Sequence, residues 1–391
     1  MESESFLSSR DYRHLNTSKW VKFAILVIGF SSATFLSLIL NCTPYFDKTY
    51  PGMSFVFYGS VILRGPSFFI LPVLTWLKGV RYGQQIKWSL VILLICFLLS
   101  IFASLKWPET LQGFATVLGL YSIAATANMV TQLSIPRVLN YYHSACLPYY
   151  YSPGPINVII GALLGLVLLS ESVPSLSYIT VFGVFAVINY VSMLIALIML
   201  QRTSYFFKND MLHAETDENS LSAYIDSARD TSEQFWNMFW LNLVVAVTFK
   251  TIIYSLHPPH ITKPTWTLMM IILGFSCESL GKGMGRAQFA SKLLSVTTWY
   301  PWFYTVVVLG FFFLASPNML AQWYIYIIVL FAVVDFRFGL GITQYATQVN
   351  TLKIGDPNSL MMVNISREFG LAAGAILSVG VLWIREYHNT N

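Results

Sequence analysis

From Trp20 onward the chain alternates long apolar runs with short polar or proline-bearing breaks, and about 20 mostly apolar residues are what an α-helix needs to cross a bilayer. Eleven segments meet that length: 20–41, 53–77, 89–105, 110–134, 148–170, 177–201, 236–256, 265–288, 295–316, 320–347 and 357–384. The third is short for a span and the tenth long. The pattern predicts an all-α polytopic membrane protein with eleven transmembrane helices.

One long segment breaks the alternation. Residues 202–235 are rich in Asp, Glu and Ser, a composition that buries too little apolar surface to order itself. The expectation is a disordered acidic linker with no binding role. It divides the chain into residues 1–201, holding a polar tail and helices one to six, the linker 202–235, and residues 236–391, holding helices seven to eleven. The first nineteen residues are polar, and the apolar run after them is too long and too poorly flanked for a cleavable signal peptide. The first helix is expected to stay in the membrane.

Composition strengthens this picture. Only 10% of the 391 residues are charged and 55% are hydrophobic, where an average soluble chain carries about 25% charged residues. The net charge of +5 raises nucleic acid as a partner, but the Lys and Arg form no stripe or long basic run. They partition instead. With the N-terminus in the cytoplasm, that face collects Arg10, Arg13, Lys19, Lys22, Lys78, Arg81, Lys87, Arg137, Arg202, Lys208, Arg229, Arg286, Lys292 and Lys353, and the other face only Lys48, Lys106, Lys263 and Arg385. A 14-to-4 split is a positive-inside signal. It predicts a cytoplasmic N-terminus and an extracellular C-terminus, with the plasma membrane as the default location and the lipid bilayer as the partner.

Little suggests catalysis. Cys42, Cys96, Cys146 and Cys277 are isolated, without metal-ligand spacing, and His143, His257 and His260 have no spaced acidic or cysteine partners. No enzyme, cofactor or metal site is expected, and a monomer is the default. Asn41-Cys-Thr is formally a glycosylation sequon but abuts the end of the first span.

Eight ionisable residues fall inside the spans: Arg64, Lys250, Glu278, Lys282, Asp335, Arg337, Arg367 and Glu368. Each costs about 2.5–3.5 kcal/mol at a helix centre on insertion scales, so it must face a partner or a watery cavity. Glu278 and Lys282 are four apart, on one face of the eighth helix with the acid first, and read as a pair that either contacts solute or neutralises itself for insertion. Gly274, Gly281, Gly283 and Gly285 around them allow close helix approach or ligand access. Arg367 and Glu368 are adjacent, about 100° apart on the helix, and are expected to have different partners. Asp335 and Arg337 also diverge. These four are candidates for gating or coupling, with structural links between helices as the alternative. Arg64 precedes Gly65-Pro66, where the proline interrupts helix hydrogen bonding. Lys250, near the outer end of the seventh helix, reads as snorkelling.

Amides add to the charges: Asn128 and Gln132 in the fourth helix, Gln344 in the tenth and Asn364 in the eleventh. An amide donates and accepts, which suits a heterocycle or sugar hydroxyls, although each can equally bond a neighbouring helix. The clusters Tyr149-Tyr150-Tyr151 and Trp299-Tyr300-Pro301-Trp302 read mostly as interfacial anchors.

Several stretches resemble the equilibrative nucleoside transporter family. Glu278-Ser-Leu-Gly-Lys282, with Phe275 before it, is similar to that family's acidic-x-x-Gly-basic signature in helix eight, with both residue types replaced and both signs kept. The small-residue run Gly370 to Ser378 resembles the family's last helix, and Phe338-Gly-Leu-Gly341 the end of its tenth. Gln132 and Ser134, followed by Tyr150-Tyr151-Ser152-Pro-Gly154, fall at the family's spacing between helices four and five, and Thr43-Pro-Tyr45-Phe46 is a weaker echo. The chain departs from the family in helix one, where Phe35-Leu36-Ser37 stands in place of Pro-Trp-Asn. It departs again at Arg367-Glu368, where apolar residues are usual.

The resemblance implies a major-facilitator-like 6+5 arrangement rocking about a midplane site. The implied activity is alternating-access facilitated diffusion of nucleosides or nucleobases, with proton coupling left open. The resemblance implies Glu278, Lys282 and Gln132 as substrate contacts, the intramembrane charge of Arg64 and the amides Asn128 and Asn364 join them as candidates, and a carrier of another small polar metabolite, such as a sugar or amino acid, is the alternative.

Overall fold

The computed structural model describes residues 19–53, 64–77, 80–139, 146–170, 175–202, 221–255, 260–285, 324–352 and 357–390, with 55, 58, 62 and 306 besides, and every regular element among them is helical. The first span is a nearly continuous helix, α1 (Lys19–Ser32) and α2 (Thr34–Thr49). The second carries a 3₁₀ turn, Gly65–Phe69, before α3 (Ile70–Trp76). Pro66 falls at the start of that turn, where its missing N–H costs nothing. The remaining helices are α4 (Tyr82–Lys106), α5 (Leu111–Leu139), α6 (Leu147–Tyr151), α7 (Gly154–Ser170), α8 (Ser175–Gln201), α9 (Leu221–Asp230), α10 (Ser232–Ser255), α11 (Lys263–Met284), α12 (Tyr324–Leu352) and α13 (Pro357–Thr390).

Every expected span except the ninth falls at least partly on these helices. The ninth, with Trp299–Trp302, lies outside the described residues except for 306, and His143 and His257 lie outside them as well. Seven of the helical stretches are long and apolar enough to cross a membrane by themselves. Their outward faces are apolar: Leu98, Leu99 and Phe102 on α4 and Ile188, Val191 and Ile195 on α8 are exposed. In water such a belt would be an aggregation surface, and in a bilayer it is solvated by acyl chains.

Helix pairs build each half. In the first, α4 packs on α5 and α1 on α8, around an aromatic knot in which Phe46, Phe55 and Tyr121 meet ring to ring. In the second, α10 packs on α13 and α11 on α12. Small residues set those distances. A methyl at Gly339 of α12 would strike the Glu278 carbonyl of α11, and one at Gly281 of α11 would strike the Phe336 carbonyl of α12. The two halves join where α7 meets α11 and where α5 and the 3₁₀ turn meet α13.

Three expectations need correction. The linker is not wholly irregular, because α9 runs through Leu221–Asp230. Its Tyr224, Ser227 and Thr231 are buried while Ile225, Asp226 and Arg229 are exposed, a helical stripe that the acidic composition hid. The third helix begins at Tyr82, well before the expected residue 89. Its polar lead-in is buried: Gln85 donates to the Val80 carbonyl over 2.8 Å and accepts from Ser134 over 2.8 Å. Arg137, counted above as a connecting-segment charge, lies inside α5 and is 1% exposed. Asn41 of the sequon is buried, its amide on Ser37 and its carbonyl accepting from Tyr178, so it offers no glycosylation site.

Candidate functional site

A cavity of about 740 Å³, including its open mouth, lies between the two halves. Residues of six spans line it: four between Gly29 and Leu36 on α1 and α2, Arg64 before the 3₁₀ turn, Asn128, Met129 and Gln132 of α5, five between Tyr150 and Val158 on α6 and α7, Phe275, Glu278 and Lys282 of α11, and Arg367 and Glu368 of α13. Of the expected substrate contacts, Glu278, Lys282, Gln132, Arg64 and Asn128 all line it. Asn364 stands one turn behind on α13, within 3.1 Å of the hydroxyl of the lining residue Tyr151.

Two ionic groups stand on the wall. Lys282 Nζ is 2.6 Å from Glu278 Oε1 within α11, with both side chains largely buried. Arg64 Nη1 is 2.7 Å from Glu368 Oε2, joining the second span to the last. Arg367 Nε stands 3.6 Å from the other oxygen of Glu368. The expectation of separate partners for Arg367 and Glu368 is thereby corrected, because a cavity is wide enough to receive two side chains splayed by about 100°. One carboxylate faces two guanidinium groups.

The neutral wall is organised by hydrogen bonds. Gln132 donates to the Ser32 carbonyl over 2.7 Å and accepts from the Tyr150 hydroxyl over 3.2 Å. Tyr150 and Tyr151 meet edge to face with centroids 4.9 Å apart. Read from sequence as interfacial anchors, both are buried and line the cavity. The Tyr-Tyr-Ser-Pro-Gly string beside a helix start was the signal that could have separated them from ordinary anchors. Ser279 reaches across the halves to the Ser152 carbonyl, 3.3 Å away.

Asp335 and Arg337 are buried on α12 but do not line the cavity. Asp335 Oδ2 packs where a methyl on Gly274 would be, between α11 and α12. The glycines of α11 are therefore spacers for α12 at Gly274, Gly281 and Gly285, while Gly283 faces open space. The side chain of Lys250 lies outside the described ones.

The cavity has a built floor. Starting from the lining residue Met129, an apolar cluster continues through Val130 and Leu133 of α5, packed with Ile70 and Leu74 of α3, Tyr224 of α9, and Met361, Met362 and Ile365 of α13. One step further sits Arg137. Its Nη2 donates to the Tyr224 hydroxyl over 2.8 Å and to Asn358 Oδ1 over 3.2 Å, and its guanidinium lies 4.9 Å from the Tyr82 ring and 5.3 Å from the Tyr224 ring. Among the described residues no carboxylate meets this buried cation, which is held by two ring faces and two oxygens. Four elements, α4, α5, α9 and α13, are tied at one point. Lys22 over the Tyr149 ring, 5.8 Å away, bridges α1 and α6.

Comparison with known proteins identifies the architecture. No protein-family model matches the chain, and no curated protein sequence matches it. Solved structures do. The Escherichia coli fucose:proton symporter FucP superposes with a TM-score of 0.59 at 12% identity, covering 95% of this chain and 92% of that one. A bacterial homologue of the iron transporter ferroportin, in an outward-facing state, gives 0.59 at 13% identity, covering 95% of this chain and all of that one. A second FucP structure, in the outward conformation and described as a Major Facilitator Superfamily transporter, gives 0.52 at 14% identity over 93% and 97% of the two chains. The fold is that of major facilitator transporters.

Proposed function

We propose that the chain is an alternating-access carrier of small polar organic solutes, with nucleosides and nucleobases as the first class to test. One observation carries the reading: a polar cavity at the junction of two helix bundles, lined from both, with five charged side chains beside the neutral polar side chains of Ser32, Asn128, Gln132, Tyr150 and Tyr151. Intramembrane charges are costly, and in transporters they mark the solute path. The floor of apolar residues and Arg137 closes one end. With the basic residues placing the N-terminus in the cytoplasm, that end is the cytoplasmic one, and the plasma membrane is the proposed location.

The nucleoside class is supported by the helix-eight and last-helix motifs and by the pairing of Gln132 with two tyrosines, since an amide beside aromatic faces suits a heterocycle. A sugar is the second reading. The same amides and the Glu278–Lys282 pair serve hydroxyls equally well, and one structure of the same fold is a fucose symporter. Purified protein in liposomes, given radiolabelled uridine, adenosine, hypoxanthine and fucose, is expected to take up at least one with saturation and competition. Uptake no greater than that of protein-free liposomes for every one of these neutral solutes would overturn the nucleoside, nucleobase and fucose readings.

A further inference from the structure

The ionisable residues inside the spans do not balance. Arg64, Lys250, Lys282, Arg337 and Arg367 stand against Glu278, Asp335 and Glu368. Among the described residues of the cavity wall the count is three cations to two carboxylates: Arg64, Lys282 and Arg367 against Glu278 and Glu368. Asp335 and Arg337 are outside the lining, on one helix and of opposite sign, so they leave the cavity's balance unchanged. Lys282 is matched by Glu278 at 2.6 Å, and Arg64 takes Glu368 Oε2 at 2.7 Å. What is left is Arg367. Its Nε makes no hydrogen bond among the described residues and stands 3.6 Å from Glu368 Oε1, a carboxylate already bonded to Arg64, while its side chain lines the cavity.

We infer that the solute carried is an organic monoanion, its carboxylate held by Arg367. The inference rests on the carrier reading above. A surplus cation in a low-dielectric wall is tolerable when water or cargo supplies the missing charge, and cargo that supplies it gains a charge-assisted bond unavailable to a neutral analogue. A guanidinium presents a planar fork that matches the two oxygens of a carboxylate. The surplus is one charge, whereas a phosphate monoester carries about 1.5 to 2 at neutral pH and would leave part of its charge unmet. A carboxylate is therefore the better complement. Gln132, Tyr150 and Tyr151 line the same cavity and hold the neutral body of the solute.

Matched pairs test this. Uridine against orotidine and glucose against glucuronate differ by one carboxylate on the same ring, and uridine monophosphate supplies the phosphate arm. Binding is read as thermal stabilisation of detergent-purified protein, and uptake is read in liposomes. The expected result is that at least one carboxylate binds about tenfold or more tightly than its neutral partner, a ratio typical of one charge-assisted bond. That ratio should collapse in Arg367→Gln, persist in Arg367→Lys, and shrink as ionic strength rises. If neutral members bind and are transported as well as the acids, the carrier reading stands and the anion inference fails. If uridine monophosphate is preferred over both carboxylates, the carboxylate assignment fails. Should no solute bind or enter at all, the carrier reading fails and takes this inference with it. The wild-type ratios alone decide the matter if Arg367→Gln does not fold.

Discussion

Arg137 Nη2 lies 3.2 Å from Asn358 Oδ1, a bond between residues 221 positions apart that ties the first half of the chain to the second. The same nitrogen holds Tyr224 of α9, so the connector between the halves is clamped at the joint it spans. Both α5 and α13 run from the cavity, through the apolar floor, to this joint. An opening of that end has to break it.

Replacing Arg137 by Met keeps much of the stem and removes the charge and both hydrogen bonds. Each bond to a charged group is worth about 1.5–3 kcal/mol, so Arg137→Met should lower the melting temperature and loosen the closed end. A cysteine introduced at the cavity residue Asn128, in a background with the four native cysteines replaced, should then react faster with an impermeant thiol reagent applied from the side of Arg137. Equal labelling rates with and without Arg137→Met would show that the clamp does not gate the path.

Glu278 and Lys282 should behave as one unit. Removing one partner of a buried pair leaves the other uncompensated, at a cost of about 3–5 kcal/mol. Glu278→Gln and Lys282→Met are each expected to abolish or greatly reduce uptake, and the double change should restore folded protein in the membrane better than it restores transport. A double variant with normal affinity and rate would make the pair an insertion device only.

Most of the described spans, and the charges and amides of the cavity wall, were legible in the sequence for a simple reason. A charge or amide inside an apolar run has few places to go, so Arg64, Asn128, Gln132, Glu278, Lys282, Arg367 and Glu368 all turn inward. Which of them meet was not legible. Arg64 and Glu368 are 304 positions apart, and nothing local to either names the other. Arg137 was misplaced because a cation next to a polar stretch looks like a loop charge, and only the oxygens and rings of three other elements make its burial tolerable. Helix α9 escaped notice because its buried stripe, Tyr224, Ser227 and Thr231, contains a single large apolar body.

The Arg64–Glu368 bridge gives a third expectation. Glu368→Gln leaves two guanidinium groups with no carboxylate between them and should be more damaging to transport than Arg64→Gln, after which Glu368 still has Arg367 within 3.6 Å. The exchange of charges, Arg64→Glu with Glu368→Arg, should recover part of the loss in the double variant relative to either single one. Uptake and thermal stability of the four variants form a cycle that measures this coupling. Simple addition of the single effects would mean that the bridge contributes nothing.

Gly339 offers the sharpest structural test, because the wall that holds Glu278 depends on how closely α12 approaches α11. A Cβ at Gly339 would run into the Glu278 carbonyl oxygen and crowd the Lys282 backbone nitrogen, whereas one at Gly119, exposed on α5, would meet nothing. Backbone atoms cannot swing aside as a side-chain tip does, so Gly339→Ala forces the helices apart at a cost of about 1–3 kcal/mol. Gly119→Ala removes an unfavourable helix glycine instead and should gain roughly 0.5–1 kcal/mol. The two substitutions are chemically identical and should shift the melting temperature in opposite directions, with uptake falling only for Gly339→Ala because the Glu278–Lys282 pair moves with its helix. Equal shifts for both would mean that the α11–α12 contact is looser than the reciprocal glycines imply, and that the ion pair is positioned by its own helix alone.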